Sequence, residues 1–595
     1  MNHIQYHICV ANSHSHLFSV KITFPSNINS TYTLSLPAWL PGSYMIRDFA
    51  KNIIQPKAFA QQNQPLDLIK IDKQTWQVTA QAETTTLEYQ VFAFDLSVRT
   101  AYLDNQRGFF NGSSTFLAIE ELKELPCQLT IEQPEQQPNW RVATGLTRAK
   151  STEKYQFGEY LAVDYQELID GPVAIGDFDV SEFTVEGVTH HMVFTSQHFG
   201  DTERLCRDVA KLCQHHISLF GEAPFKEYWF ITHLQAKGFG GLEHKNSTIL
   251  QASRFDLPNP NKPEELSDNY KTFLSLCSHE YFHAWNVCRI KPKAFVPYNL
   301  QKESYTTQLW AYEGITSYYD DFSLYRTGII DFDSYLALLA KTATRVYRGL
   351  GQHKLSVEDS SFYTWTKFYQ QGADAVNNIV SYYTKGALIA LWLDLTIRKH
   401  SQGQHSLDDL MRELWIHFGR PNIGTQTEDF INITNILCQQ DLTSQINQML
   451  TSASALELQP LLAEFGVVKH FSKFKALNSI ETVVANQPIP YLGALFQNKE
   501  LGVKITSVVE NSPAAQAGLA VNDILIAVNG IKVTEQSIQQ LSEHLPLNKP
   551  FSCHYFRDDL LLTTQLSFSD SPLTGISFVV SEEEKAKLWQ KIIRN

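Results

Sequence analysis

Apolar and polar residues alternate in short runs up to about residue 170, in segments 18–24, 32–37, 86–94 and 127–131. A side-chain period of two is that of a strand covered on one face, so this stretch predicts a β-rich N-terminal domain over 1–171, closed by the breaker pair Gly171-Pro172. The character then changes. After a further strand pair, residues 202–219 set Leu205, Val209, Leu212, Ile217 and Leu219 at helical spacing. Residues 228–234 read as a buried strand leading into the glycine-rich stretch 237–246, expected as an irregular edge or turn. Helical patterns follow over 271–287, 304–327, 333–347, 381–400, 406–418 and 425–440. Strands return after 475, with a strand over 502–509, a short helix over 511–519 and a strand over 523–530 ending in an Asn-Gly turn. The fold class predicted is multidomain α+β: a β-rich domain over 1–171, a mixed domain with a helical part over 172–475, and a small β-rich domain with a tail over 476–595.

Composition changes this picture little. The 595 residues are 43% hydrophobic and 19% charged, with no apolar window long enough to span a bilayer, so no membrane role is expected. A net charge of -13 argues against a nucleic-acid partner, which calls for clustered Lys and Arg. The first residues lack the pattern of a secretory signal and read as a strand. Eight scattered cysteines without C-x-x-C pairs fit reduced thiols, hence a cytoplasmic location.

Candidate chemistry begins at His279-Glu280-Tyr281-Phe282-His283, an H-E-x-x-H motif in an apolar run. On a helix, positions four apart share a face, so His279 and His283 can grip one Zn²⁺ while Glu280 leans toward the water that the metal activates. Helical His pairs also arise as packing residues. A catalytic zinc usually takes three protein ligands. Glu313, thirty residues after His283, sits among Leu309, Trp310 and Ile315; a Glu on a helix is commonly solvated, but a buried carboxylate here needs a partner such as a metal. The loop 37–48, bounded by Pro and Gly and carrying two aromatics, reads as a domain-contact loop.

Two resemblances build on these residues. The run Ser512-Pro-Ala-Ala-Gln-Ala-Gly-Leu519, with Asp523-Ile-Leu and Asn529-Gly530, resembles a bacterial PDZ domain, with 491–494 similar to its carboxylate-binding loop. Peptide C-termini are therefore candidate ligands there, bound by strand addition, although such a domain can also serve only for packing. The chain as a whole resembles the glycyl aminopeptidase family of zinc metallopeptidases, through Trp39-Leu-Pro-Gly-Ser-Tyr44 with Arg47, His279-Glu-x-x-His-x-Trp-Asn286, Trp310-x-x-Glu-Gly314 and the PDZ-like segment.

The resemblance implies a thermolysin-like catalytic domain, one zinc ion per chain held by His279, His283 and Glu313, and release of N-terminal residues, often Gly or Ala. It also implies that Glu243, within Gly240-Gly241-Leu-Glu-His244, binds the substrate's α-amine, although Leu and His replace the Met and Asn of the family motif. Tyr383, in Tyr382-Tyr-Thr-Lys-Gly-Ala387, corresponds to an oxyanion donor; the lesser alternative is a core tyrosine at a helix start. Asp320 either braces a zinc-binding His or is solvated. The glycines of the stretch Gly238 to Leu242 permit a substrate to lie alongside as an added strand. Two other functions fit part of the pattern: a PDZ-guided endopeptidase or oligopeptidase with Glu243 structural, and a non-catalytic peptide-binding scaffold.

Overall fold

The computed structural model describes residues 2–591. It divides into two compact units, Met1–Ser304 with Trp415–Gly424, and Tyr305–Leu414 with Thr425–Asn595. This division falls within the segment 172–475.

The first unit opens with an eight-stranded sheet. Its strand order is Thr147–Arg148, Gly158–Ala162, Cys127–Ile131, Ile4–Asn12, Leu17–Pro25, Thr84–Phe92, Ile53–Phe59 and Pro65–Leu66. The predicted alternation accounts for the pairing. Tyr6 and Ile8 of one strand face Ile22 and Val20 of the next in register, and all four are buried on the same side. A one-residue slip would send them all to solvent. Two four-stranded sheets complete this β-rich region.

A five-stranded sheet follows in the order Asp179–Val185, Val188–Phe194, Glu227–Gln235, Ser247–Ser253, Gly240–Glu243. Its three central strands run parallel and are buried along nearly their whole length, as parallel strands covered on both faces must be. The glycine-rich stretch expected to be irregular forms the antiparallel edge strand Gly240–Glu243. Two helices of this unit, Thr202–Phe220 and Asp268–Phe282, are joined by a hydrogen bond of 2.9 Å between His216 Nε2 and Ser278 Oγ. The second starts where Ser267 accepts from the Tyr270 N–H. It ends at Phe282, short of the predicted 287. There Arg289 donates to the Ala284 carbonyl at 2.6 Å and the chain closes into successive turns.

Three buried histidines in this sheet make it acid-sensitive. Burial pushes His190 and His191 down to about 4 and His233 to about 3. Unfolded histidine takes up its proton near pH 6.5, so between there and pH 4 the unfolded state binds more protons. Stability is therefore full above the unfolded value and is lost as pH falls, at up to about 4 kcal/mol per pH unit for three sites together. Urea titrations at successive pH values should show the unfolding midpoint dropping steeply from pH 6.5 to 4.5. A constant midpoint over that range would contradict the assignment.

In the second unit the helix Tyr382–His400 is buried for most of its length and packs against Ile315–Arg326 and Phe332–Arg348. Its polar residues are paired. Asp394 accepts from Arg398 Nε at 3.0 Å, from the Tyr318 hydroxyl at 2.7 Å and from the Leu407 N–H at 2.9 Å. Asp408 takes a two-pronged bond from Arg326 and one from Tyr319. The helix predicted over 304–327 begins later than expected, because Trp310–Gly314 is a π-helical turn that feeds into Ile315–Arg326. This turn crosses the helix Tyr382–His400 with backbone against backbone. A Cβ on Gly314 would stand 2.5 Å from Gly386 Cα, and one on Gly386 would stand 2.7 Å from the Trp310 carbonyl. The glycines in Trp310-x-x-Glu-Gly314 and Thr384-Lys-Gly-Ala387 are thus one contact seen from two sides.

The unit ends in a β-rich module. Val467–Phe474 pairs with Gly575–Val580, and a further sheet runs Ala494–Lys499, Gly502–Val508, Ile524–Val528, Phe551–Arg557, Leu560–Leu566. The helix Glu535–His544 lies against the first of these strands. Among the described residues, no helix is long and apolar enough to cross a membrane.

Candidate metal centre

In the first unit the H-E-x-x-H pair is turned to a common point. His279 Nε2 and His283 Nε2 stand 3.0 Å apart, with the rings nearly perpendicular. Two nitrogens at about 2.0–2.1 Å from a tetrahedral ion are roughly 3.3 Å apart, so the spacing is that of two ligands on one metal. The far side of His283 explains its orientation. Its Nδ1 lies 2.7 Å from the Asn286 carbonyl, which can only accept, so the proton sits on Nδ1 and the Nε2 lone pair is left for a cation. His283 itself caps the helix with α-helical backbone angles, one residue beyond Phe282.

Glu280 is buried on the same helix. Thr248 Oγ1 donates to its Oε2 at 3.4 Å, and its Oε1 lies where a side chain on Gly241 would have to be. The carboxylate is therefore laid against the edge strand Gly240–Glu243, whose outer side carries no strand of the sheet among the described residues. Gly240 has φ of 148°, which a side chain rarely allows.

Glu243 ends that strand opposite Thr248 and is buried. Gly42, at φ 80°, covers its carboxylate so closely that a Cβ would overlap both oxygens. Gly42 thus packs the Pro-Gly loop directly against Glu243. Trp39 ties the loop down by donating to the Asn299 and Lys302 carbonyls, and Arg47 donates to Ser43 Oγ at 2.7 Å. Glu243 also borders a cavity of about 530 Å³ shared with Pro41, His244, Cys288, Lys291 and Tyr298. Burial pushes Lys291 down to about 8.

In the second unit, Glu313 is buried within the π-helical turn. Such turns recur at functional sites because the extra residue redirects a side chain. Tyr382 and Tyr383 open the next helix of this constellation, where Ser381 caps it. They differ in fate. Tyr382 is fully buried and its hydroxyl lies 2.9 Å from Thr364 Oγ1. Tyr383 is half-buried and stacks on Phe368 and Tyr382. Asp320 is half-buried on Ile315–Arg326 and accepts from the Asp321 N–H at 2.6 Å.

Gly42 and Asn286 lie in motifs of the sequence that give them no role, and Thr248 lies in none. The Pro-Gly turn signals positive φ at Gly42; Thr248 and Asn286 act through atoms that any of several residues would supply.

The N-terminal domain model of the M61 peptidases matches residues 5–177, the M61 glycyl aminopeptidase model matches 272–389, and a PDZ model matches 504–548. The crystal structure of an aminopeptidase N family protein from Idiomarina loihiensis is 43% identical, with a TM-score of 0.95 over 99% of this chain and 100% of that one. An M1 zinc metallopeptidase from Deinococcus radiodurans aligns with a TM-score of 0.48 at 12% identity, covering 77% of this chain and 95% of that one. No curated protein matches the sequence. The chain belongs to the M61 glycyl aminopeptidase family, and it is an aminopeptidase.

Proposed function

We propose that the enzyme releases small N-terminal residues, Gly or Ala, from peptides, with one zinc ion per chain held by His279, His283 and Glu313. The observation that carries this reading is the histidine pair, 3.0 Å apart and fixed by the Asn286 carbonyl, beside a Glu280 carboxylate laid on a bare strand edge. Two neutral imidazoles and a carboxylate form a donor set suited to zinc. A zinc ion in such a set supplies Lewis acidity, acidifying water and polarising a carbonyl.

The chain's own groups do the rest. Glu243 holds the substrate's α-ammonium, and the Gly240-Gly241 edge takes its backbone as an added strand. Glu280 accepts the proton of the attacking water and passes it to the leaving amine. The Tyr383 hydroxyl donates to the oxyanion. Asp320 is assigned to brace a zinc-binding histidine. The preference for small residues rests on the family, and a cytoplasmic location on the scattered cysteines. A peptide C-terminus is the ligand proposed for the PDZ module.

A panel of Xaa-naphthylamides, with and without chelator, tests the function. Gly and Ala compounds are expected to turn over fastest, and chelator to stop them. An N-acetylated peptide is expected to resist cleavage, and Glu243→Ala to raise KM for the free-amine form by about 10²-fold, the loss of a charge-paired contact of roughly 3 kcal/mol. Equal cleavage of free and acetylated peptides would remove the amine anchor from the mechanism.

A further inference from the structure

Among the described residues, the strand Ala494–Lys499 is one of the two edges of the PDZ module's larger sheet and pairs only with Gly502–Val508. Beside it lies the helix Glu535–His544. An edge strand with a helix alongside is the groove into which a peptide adds as a further strand. Here the groove is filled, and by the chain itself.

The occupant is Leu477-Asn478, from the segment that leads into the module. The Asn478 carboxamide acts as a peptide unit would: its Oδ1 accepts from the Phe496 N–H at 3.1 Å, and its Nδ2 donates to the Phe496 carbonyl at 2.7 Å. Both outward backbone groups of Phe496 are thereby satisfied. The helix holds the same side chain from its other flank, with Glu535 Oε1 2.8 Å from Asn478 Nδ2, while Gln539 Oε1 accepts from the Leu477 N–H at 3.0 Å. Leu477 is 6% exposed and belongs to the module's core together with Leu492, Ala494, Phe496 and Ile538. One residue thus supplies the strand-like bonds and its neighbour an apolar anchor.

We infer that Leu477-Asn478 closes this groove in cis, and that a peptide C-terminus enters only by displacing it. The segment offers no carboxylate to the loop at Tyr491–Ala494, so an incoming C-terminus has one contact more to give. Against that stands proximity, because a segment joined by a short linker competes at an effective concentration on the order of mM. The groove is therefore shut to ligands of ordinary affinity and opens to whatever loosens Asn478.

The test uses the full chain, an N-acylated fluorescent decapeptide ending in a free Val, and the same peptide amidated. Asn478→Ala and the isosteric Asn478→Asp, which sets an acceptor against the Phe496 carbonyl and Glu535, are compared with wild type, with melting curves as fold control. Both variants are expected to bind the free-acid peptide at least tenfold more tightly than wild type and to ignore the amide. Exchange of the Phe496 amide should quicken at least tenfold in both and slow again on adding peptide. Equal binding by wild type and variants would overturn the proposal. So would binding by none of them, since a groove that takes no peptide when opened is not being guarded.

Discussion

Glu280→Gln is expected to lower kcat for Gly-naphthylamide by about 10² to 10⁴-fold, the range ascribed to a positioned proton carrier, with zinc content unchanged. The substitution keeps shape and removes basicity. Its amide fits the space that Gly241 leaves, and Thr248 Oγ1 can still donate to the oxygen that replaces Oε2. The hydrogen bond from His283 Nδ1 to the Asn286 carbonyl does not involve the substituted side chain. Metal analysis beside steady-state kinetics separates the outcomes. Loss of zinc along with turnover would make Glu280 a support of the donor set, and retention of most of the activity would remove it as the base.

Tyr383→Phe is expected to lower kcat by about 10² to 10³-fold, or roughly 2.7 to 4 kcal/mol of barrier, with little change in KM, as for any donor whose bond forms only as charge develops. Its neighbour supplies the control. Tyr382 is buried and its hydroxyl is engaged by Thr364, so Tyr382→Phe should cost about 1 kcal/mol of stability and leave kcat nearly intact. If the two variants exchange behaviour, the assignment of Tyr383 as the donor is wrong.

The elements carrying this chemistry were legible where a single physical signal dominated. Alternation gave the strands around Tyr6 and Val20, and the spacing of His279 and His283 placed them one turn apart. What escaped was set by tertiary contact. No local pattern marks Trp310–Gly314 as π-helical, since its residues favour an ordinary helix; the close approach of Gly386 accompanies the irregular turn. The glycine-rich stretch left an irregular edge and a turn both open, and pairing of Leu242 with Ile249 makes it an edge strand. Asn478 carried no signal at all, because a carboxamide that imitates a strand can be recognised only beside the strand it imitates.

The crossing of Gly314 over Gly386 has a mechanical meaning. With no side chain between them, the turn that carries Glu313 and the helix that carries Tyr383 behave as a single casting. A misplacement of about 1 Å can reduce a rate on the order of 10²-fold, and a methyl group at either glycine would force a shift of that size. The spacing between the ligand candidate and the hydroxyl candidate is thus set by the thickness of bare backbone, a dimension that no choice of side chain can shorten.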